Sequence, residues 1–124
     1  EAARRATAED ITDIEAIQQQ LEEFAADRQI ERFFEANQAF HYRVQAISGN
    51  RWLKQVVQDL RKVLKLTRLF SLSAEGRLTQ SLTEHRALLA AIKAGDAELA
   101  QTVMHDHILA GRQAVARTHA ADEA

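Results

Sequence analysis

Apolar residues recur at spacings of three and four along most of the chain, and this period predicts helices rather than strands. The first run follows Thr7, a residue type that caps helices, and the second ends where Gly49 suits a left-handed turn and Asn50 can cap the next helix. A fourth run extends from about Thr79 to Gly95, and Asp96 caps a fifth. The third run, toward Leu69, carries the apolar residues Trp52, Leu53, Val56, Val57, Leu60, Val63 and Leu64.

The composition favours an all-α fold. The 124 residues include no proline and only four glycines, while 46% are hydrophobic and 27% are charged. A chain of this length is long enough for one core and too short for two. Because the predicted connections are short, consecutive helices should pack nearly antiparallel. We therefore expect one domain over residues 1–124, an all-α antiparallel helical bundle of about five to six helices.

Charge and cysteine content exclude several classes of function. The net charge of −2 gives no long-range attraction for phosphate backbones, so this chain alone is a poor candidate for binding nucleic acid. Cysteine is absent, which removes disulfides, thiolate zinc sites and cysteine nucleophiles. No apolar run approaches the roughly 20 residues that span a bilayer. We expect a cytoplasmic protein with no membrane partner.

Polar residues interrupt the apolar stripes of three predicted helices. At about 100° per residue, Asn37 and His41 fall on the same side of the second helix as its aromatic residues. His85 lies in the apolar stripe of the fourth helix, and His107 lies in that of the fifth. Because a bundle brings such stripes together, the three histidines should meet. His105 projects about 200° away from His107 and is expected at the boundary or the surface.

Three inward histidines on separate helices indicate a site for a divalent metal ion. A buried imidazole needs partners for both ring nitrogens, and clustering three of them without a cation compounds the cost of desolvation. Neutral imidazole nitrogens suit Zn²⁺ and Ni²⁺, and the Asn37 oxygen, four residues before His41, reaches the same point. Such a site leaves coordination positions open for an exogenous group. Any one histidine in such a stripe is more often a satisfied core residue, so a metal-free cluster stays an alternative.

Four segments of the chain are distinctive: NQAFH (residues 37–41), ISGN (47–50), SLTEHRALLAAIKAGDAELA (81–100) and MHDHI (104–108). Together they resemble the FCD domain, the effector-binding C-terminal half of FadR-type regulators in the GntR family. The resemblance extends from about Thr7 to Gly111. It implies an all-helical antiparallel bundle whose metal ligands are Asn37, His41, His85 and His107.

The resemblance also implies partners. In metal-containing members a small carboxylate metabolite completes the coordination, and a homodimer positions two DNA-binding heads. The N-terminal winged helix-turn-helix domain of such regulators is expected to be missing here, so DNA is a partner only of the intact parent protein. The opening EAARRA looks like the end of a helix, and we expect most of the first helix of the domain to be missing as well.

A carboxylate effector needs cationic or hydrogen-bonding partners in the protein. Arg68, with Thr67, lies near the C-terminal end of the third apolar stripe, and Arg61 flanks the middle of that stripe. Either guanidinium can form the bidentate contact that arginine makes with carboxylates. We therefore name these three residues as candidates for binding the effector. Glu84 is expected to face water, and Trp52 is expected to anchor a core or an interface.

Two other classes of function are alternatives to a sensor. Helical bundles with three histidines and a metal, such as DinB-like proteins, can catalyse transfer or hydrolysis, but we expect no carboxylate beside the histidines to act as a general base. The dipeptide at residues 105–106 is only weakly similar to HD-type phosphohydrolases. A metal-free dimerisation module with buried histidines is the other alternative. We expect a sensor domain and not an enzyme.

Overall fold

Seven helices make up the part of the chain that the structure describes. The computed structural model describes residues 1–123, apart from the side chains of residue 70 and of residues 121–123. The helices are α1 (Ala2–Arg5), α2 (Ala8–Ala26), α3 (Ile30–Ile47), α4 (Arg51–Val63), α5 (Lys65–Leu72), α6 (Arg77–Lys93) and α7 (Ala97–Glu123). No strand occurs within residues 1–123, so the all-α helical bundle is confirmed. Within the same range, no helix has both the length and the hydropathy needed to cross a membrane.

Side-chain caps set the helix ends where the sequence predicts them. The Thr7 hydroxyl accepts a hydrogen bond from the Asp10 backbone amide, and the Asp10 carboxylate accepts one from the Thr7 amide in return. Asn50 and Asp96 cap α4 and α7, each with a side-chain oxygen 3.0 Å from a backbone amide three residues later. Gly49 follows α3 with a φ of 76°, a left-handed conformation that glycine adopts without a Cβ clash.

The helices outnumber the expected five to six because one predicted run divides in two. The break before α2 is the expected one, since Ala6 has an extended ψ of 125° that separates the short α1, within the opening EAARRA, from the helix that Thr7 caps. The third predicted run divides at Leu64, whose ψ of 7° lies outside the helical range. In addition, α6 begins at Arg77 rather than at about Thr79, directly after Gly76 with its φ of 76°.

The core of the bundle lies between α2, α3 and α6. Arg86 and Lys93 of α6 bind Glu22 and Glu15 of α2, so residue numbers run in opposite directions along the two helices and the pair is antiparallel. The largest fully buried apolar side chains are Ile14, Leu21, Phe33, Phe34, Phe40 and Ile92. Each contributes about 1.5–3 kcal/mol by leaving water. Half of them belong to α3, so this helix is held firmly where it carries Asn37 and His41.

The apolar residues of α4 depart most from the predicted core. None of the α4 residues, all of which the structure describes, is buried. Among them, Trp52, Leu53, Val56, Leu60 and Val63 form an exposed row that we call the α4 stripe. Trp52 is 71% exposed and is therefore not a core residue. The periodicity indicates an apolar face, but it does not tell whether the same chain covers that face.

Candidate metal centre

Three histidines from three helices meet in the interior of the bundle. His41 lies on α3, His85 on α6 and His107 on α7, and all three are buried. His107 Nε2 lies 3.1 Å from His41 Nε2 and 3.3 Å from His85 Nε2. One ring nitrogen of each histidine lies within 4.8 Å of the other two. We call these three residues the histidine cluster, and its convergence is the one expected from the apolar stripes.

Ring stacking limits the orientations of the cluster. The Phe40 ring stacks on the His85 ring with the centroids 4.3 Å apart and an interplanar angle of 9°. The His41 and His107 rings are also stacked, with the centroids 5.1 Å apart and an angle of 13°. Close packing of this kind removes rotamer freedom. The three nitrogens are therefore held together by the fold before any ligand binds.

Glu84 supports His107 from its outer nitrogen. The Glu84 Oε1 atom lies 3.0 Å from His107 Nδ1 and 2.8 Å from Arg77 Nη1. Because this carboxylate accepts both hydrogen bonds, the His107 proton sits on Nδ1 and the Nε2 lone pair faces the cluster. The expectation that Glu84 faces water is wrong, as is the expectation that no carboxylate lies beside the histidines. The reason is the buried Arg77, two turns earlier on α6, which lines the cavity and binds the Glu84 carboxylate.

The nitrogen separations fit a shared cation better than hydrogen bonds alone. With its proton on Nδ1, His107 has one Nε2 lone pair, and two other imidazole nitrogens face it. One lone pair accepts only one well-aligned hydrogen bond. One of the two close contacts of His107 Nε2 is therefore not a hydrogen bond. Two nitrogens at about 2.0–2.1 Å from a tetrahedral zinc ion lie about 3.3 Å apart. The observed spacing is therefore close to that of metal ligands.

Asn37 adds an oxygen donor next to the histidine cluster. It lies one turn before His41 on α3 and lines the same cavity as His41 and His107. Asn37 is 2% exposed, and its Oδ1 atom has no hydrogen-bond partner among the described residues. An unpaired buried carbonyl oxygen costs about 1–3 kcal/mol, which coordination to a metal would offset. Three imidazole nitrogens and one amide oxygen are a donor set that suits Zn²⁺ or Ni²⁺.

Burial keeps the three imidazoles in the neutral form that binds metals. Burial lowers the pKa of His41 well below its usual value, and the positive charge of Arg61 lowers it further. The pKa of His85 is also well below its usual value. Burial is the main cause, and electrostatic repulsion from His107 is the next. Burial lowers the pKa of His107 too, although the hydrogen bond to Glu84 partly opposes this. At neutral pH the cluster can therefore bind a cation without first releasing protons.

A cavity of about 300 Å³ opens beside the cluster. The three effector-binding candidates named from the sequence, Arg61, Thr67 and Arg68, all line it. Arg61 lies on α4, and the other two lie on α5, so the break at residue 64 places two short helices along this wall. The volume is at the lower end of the range for small-molecule sites. Three of the four candidate metal ligands thus line one cavity with the candidate effector ligands, and the fourth, His85, lies directly beside them with its Nε2 3.3 Å from His107 Nε2.

The sequence analysis did not identify three residues of the site. Arg77 and Ser81 are buried and line the cavity, and both precede His85 on α6 at intervals of four. This spacing places all three on one face of the helix and was the available signal. Gln38 Oε1 accepts a hydrogen bond of 2.7 Å from Arg61 Nε. No sequence spacing relates residues on α3 and α4, so this contact could not be predicted.

The His105-Asp106 dipeptide lies away from the cavity. The side chains of both residues are about 70% exposed (69% and 71%), as the offset from His107 predicts for His105. A ring nitrogen of His105 lies 3.4 Å from a carboxylate oxygen of its neighbour, in contact with solvent. This dipeptide therefore adds no ligand to the histidine cluster.

The comparison with known families matches almost the whole chain. The family model described as the FCD domain matches residues 1–110. The matched range includes Asn37 and the three histidines of the cluster. No curated protein matches the chain in a sequence search.

Proposed function

Because the chain belongs to the family of FCD domains, the effector-binding domains of GntR-type transcription regulators, we propose that it senses a small organic acid through a divalent metal ion. The convergence of three buried imidazole nitrogens beside a cavity, which His41 and His107 line, carries this proposal. Arg61 and Arg68 are half-buried along the same cavity, each with a buried nitrogen that has no hydrogen-bond partner among the described residues, and they support an anionic effector.

The proposed metal ligands are Asn37, His41, His85 and His107, and the proposed ion is Zn²⁺ or Ni²⁺. The unpaired Asn37 oxygen and the nitrogen spacing support this assignment. The ion would supply an electrophilic point at which a carboxylate of the effector binds. Glu84 would raise the basicity of His107 and fix its tautomer.

The α4 stripe supports a homodimer. Its five large apolar residues extend from Trp52 to Val63 over about 17 Å of helix. An exposed apolar row of this length at helical spacing is typical of a helix that packs on another helix. A second copy of the chain can supply that helix by antiparallel pairing of the two stripes.

The position of Arg61 suggests how effector binding is coupled to dimer geometry. Arg61 lines the cavity from α4, the same helix that carries the α4 stripe. An effector that binds the metal and this guanidinium would change the position of α4, and with it the spacing of two DNA-binding domains in the intact regulator. The effector must then have different affinities for the two arrangements of the dimer.

The surroundings of Glu84 favour a sensor over a metal-dependent enzyme. Arg77 and His107 both donate hydrogen bonds to the same Glu84 oxygen, Oε1. A general base must lie within reach of the substrate proton, and Glu84 is not among the residues that line the cavity. We therefore give Glu84 a supporting role and propose no catalytic residue.

A screen of small organic acids by thermal unfolding tests the proposed function. The chain is loaded with Zn²⁺ or Ni²⁺, and the unfolding temperature is measured with and without each acid. An effector is expected to raise the unfolding temperature of the loaded chain and not that of the metal-free chain, because binding to the folded state alone stabilises it. Equal shifts in both forms, or failure of the chain to retain either metal, would contradict the proposal.

A further inference from the structure

Two guanidinium groups at the cavity wall lack anionic partners. Arg61 Nη2 and Arg68 Nε are both buried without a hydrogen-bond partner among the described residues. Burial lowers the pKa of Arg61 to about 9, with the Arg68 charge as the next cause, and burial also lowers the pKa of Arg68. Both groups remain charged at neutral pH. Two half-buried cations that repel each other favour the binding of an anion between them.

The described residues offer no carboxylate for this purpose. None of the residues that line the cavity is acidic. The nearby Glu84 is already bound by Arg77 and His107. Arg61 has only the neutral Gln38, whose oxygen orients the guanidinium through Nε. A ligand that enters the cavity can therefore supply the charge that balances Arg61 and Arg68.

We propose that the effector is a small dicarboxylate that joins two separate subsites of the cavity. One carboxylate binds at the histidine cluster and Asn37, and the second binds between Arg61 and Arg68. This inference rests on the proposed function and goes beyond it, because a single carboxylate at the metal would leave both guanidinium groups without an anionic partner. Arginine donates two parallel hydrogen bonds to a carboxylate, which suits the second subsite.

Matched pairs of acids test the inference on the metal-loaded chain. The pairs are malonate and propionate, succinate and butyrate, glutarate and valerate, and malate and 3-hydroxybutyrate, each measured by isothermal titration calorimetry. In at least one pair the dicarboxylate is expected to bind at least about tenfold more tightly than the monocarboxylate, since its second carboxylate accepts charge-assisted hydrogen bonds from arginine. Equal affinity within every pair would overturn the inference.

The Arg68→Gln variant assigns the second carboxylate to its subsite. It is expected to lower the affinity for the best dicarboxylate about tenfold or more and to leave the affinity for the matched monocarboxylate unchanged. Arg61→Gln is the second variant if the first does not fold, and the exposed Arg32→Gln is the control. Equal loss for both acids would contradict a separate second subsite.

The two levels of the proposal can fail separately. If monocarboxylates bind the loaded chain as tightly as dicarboxylates, the organic-acid sensor stands and the dicarboxylate inference fails. If no acid of the panel binds while the metal is retained, both the inference and the proposed effector class fail.

Discussion

The histidine cluster and the α4 stripe are opposite in chemistry and in location. In the cluster, polar groups with free lone pairs lie in the interior, where apolar side chains are usual. In the α4 stripe, large apolar side chains lie at the surface, where polar ones are usual. The described residues supply no partner for the lone pairs of the cluster and no cover for the apolar side chains of the stripe. The difference in chemistry is the reason for the two partners that we propose, a cation for the lone pairs and a second apolar helix for the stripe.

Replacement of a histidine of the cluster should have the largest effect. His85→Ala is expected to lower the affinity for Zn²⁺ or Ni²⁺ by more than about 100-fold, because it removes a ligand from a four-residue set. Competition with a chromophoric chelator measures the affinity. The matched control is His105→Ala, which removes an exposed imidazole. Equal affinities for the two variants would show that the cluster does not bind the metal.

A charge in the α4 stripe should act on assembly and leave the metal site intact. Val56→Glu is expected to raise the dissociation constant of the dimer about 100-fold, since burying an unpaired carboxylate costs several kcal/mol. Light scattering coupled to size-exclusion chromatography measures the mass in solution, which for a dimer is twice the 13.9 kDa of one chain. Gln55→Glu places the same charge beside the stripe and should remain dimeric. If the chain without substitutions is monomeric at all concentrations, the homodimer proposed for the stripe is refuted.

The supporting role of Glu84 predicts a smaller effect on the metal. Glu84→Gln keeps the shape and removes the charge that orients His107, so metal affinity should fall about 10- to 100-fold. Glu75→Gln, at an exposed position before α6, serves as the control in the same chelator assay. If Glu84→Gln binds the metal as tightly as the parent chain, the hydrogen bond to His107 is irrelevant to the site.

The metal-free cluster should make stability depend on pH. The folded-state pKa values of His41 and His85 lie well below 6.5, so below that pH the unfolded chain takes up protons that the folded chain does not. The free energy of unfolding should therefore fall as the pH falls below about 6.5, by up to about 1.4 kcal/mol per pH unit for each histidine. Urea denaturation at pH 7.5 and 5.5 measures this dependence. A dependence that is unchanged in His85→Ala would contradict the assignment.

The sequence predicts the bundle because local chemistry determines most helix boundaries. Thr7, Asn50 and Asp96 cap helices as expected, and Gly49 takes the expected left-handed conformation. The division at Leu64 was not predictable, since no glycine or proline marks it. The exposure of the α4 stripe was not predictable either, because a periodic apolar face has the same pattern whether it meets its own chain or another.

The part of the candidate site that could be predicted is the part that depends on which face of a helix a residue occupies. Projection places His41, His85 and His107 inward on three helices, and the bundle then brings them together. Contacts between elements need coordinates: Glu84 lies against His107 because of Arg77, and Gln38 holds Arg61 across two helices. For this reason the candidate ligand set could be named from the sequence, while the groups that orient it could not.

X-ray absorption at the metal edge tests the central claim most directly. For the chain loaded with one equivalent of Zn²⁺, the account predicts three imidazole nitrogens at about 2.0–2.1 Å and at least one oxygen in the first coordination shell. A first shell of oxygen alone, or one with a single imidazole, would contradict it, because the ion would then be bound outside the histidine cluster.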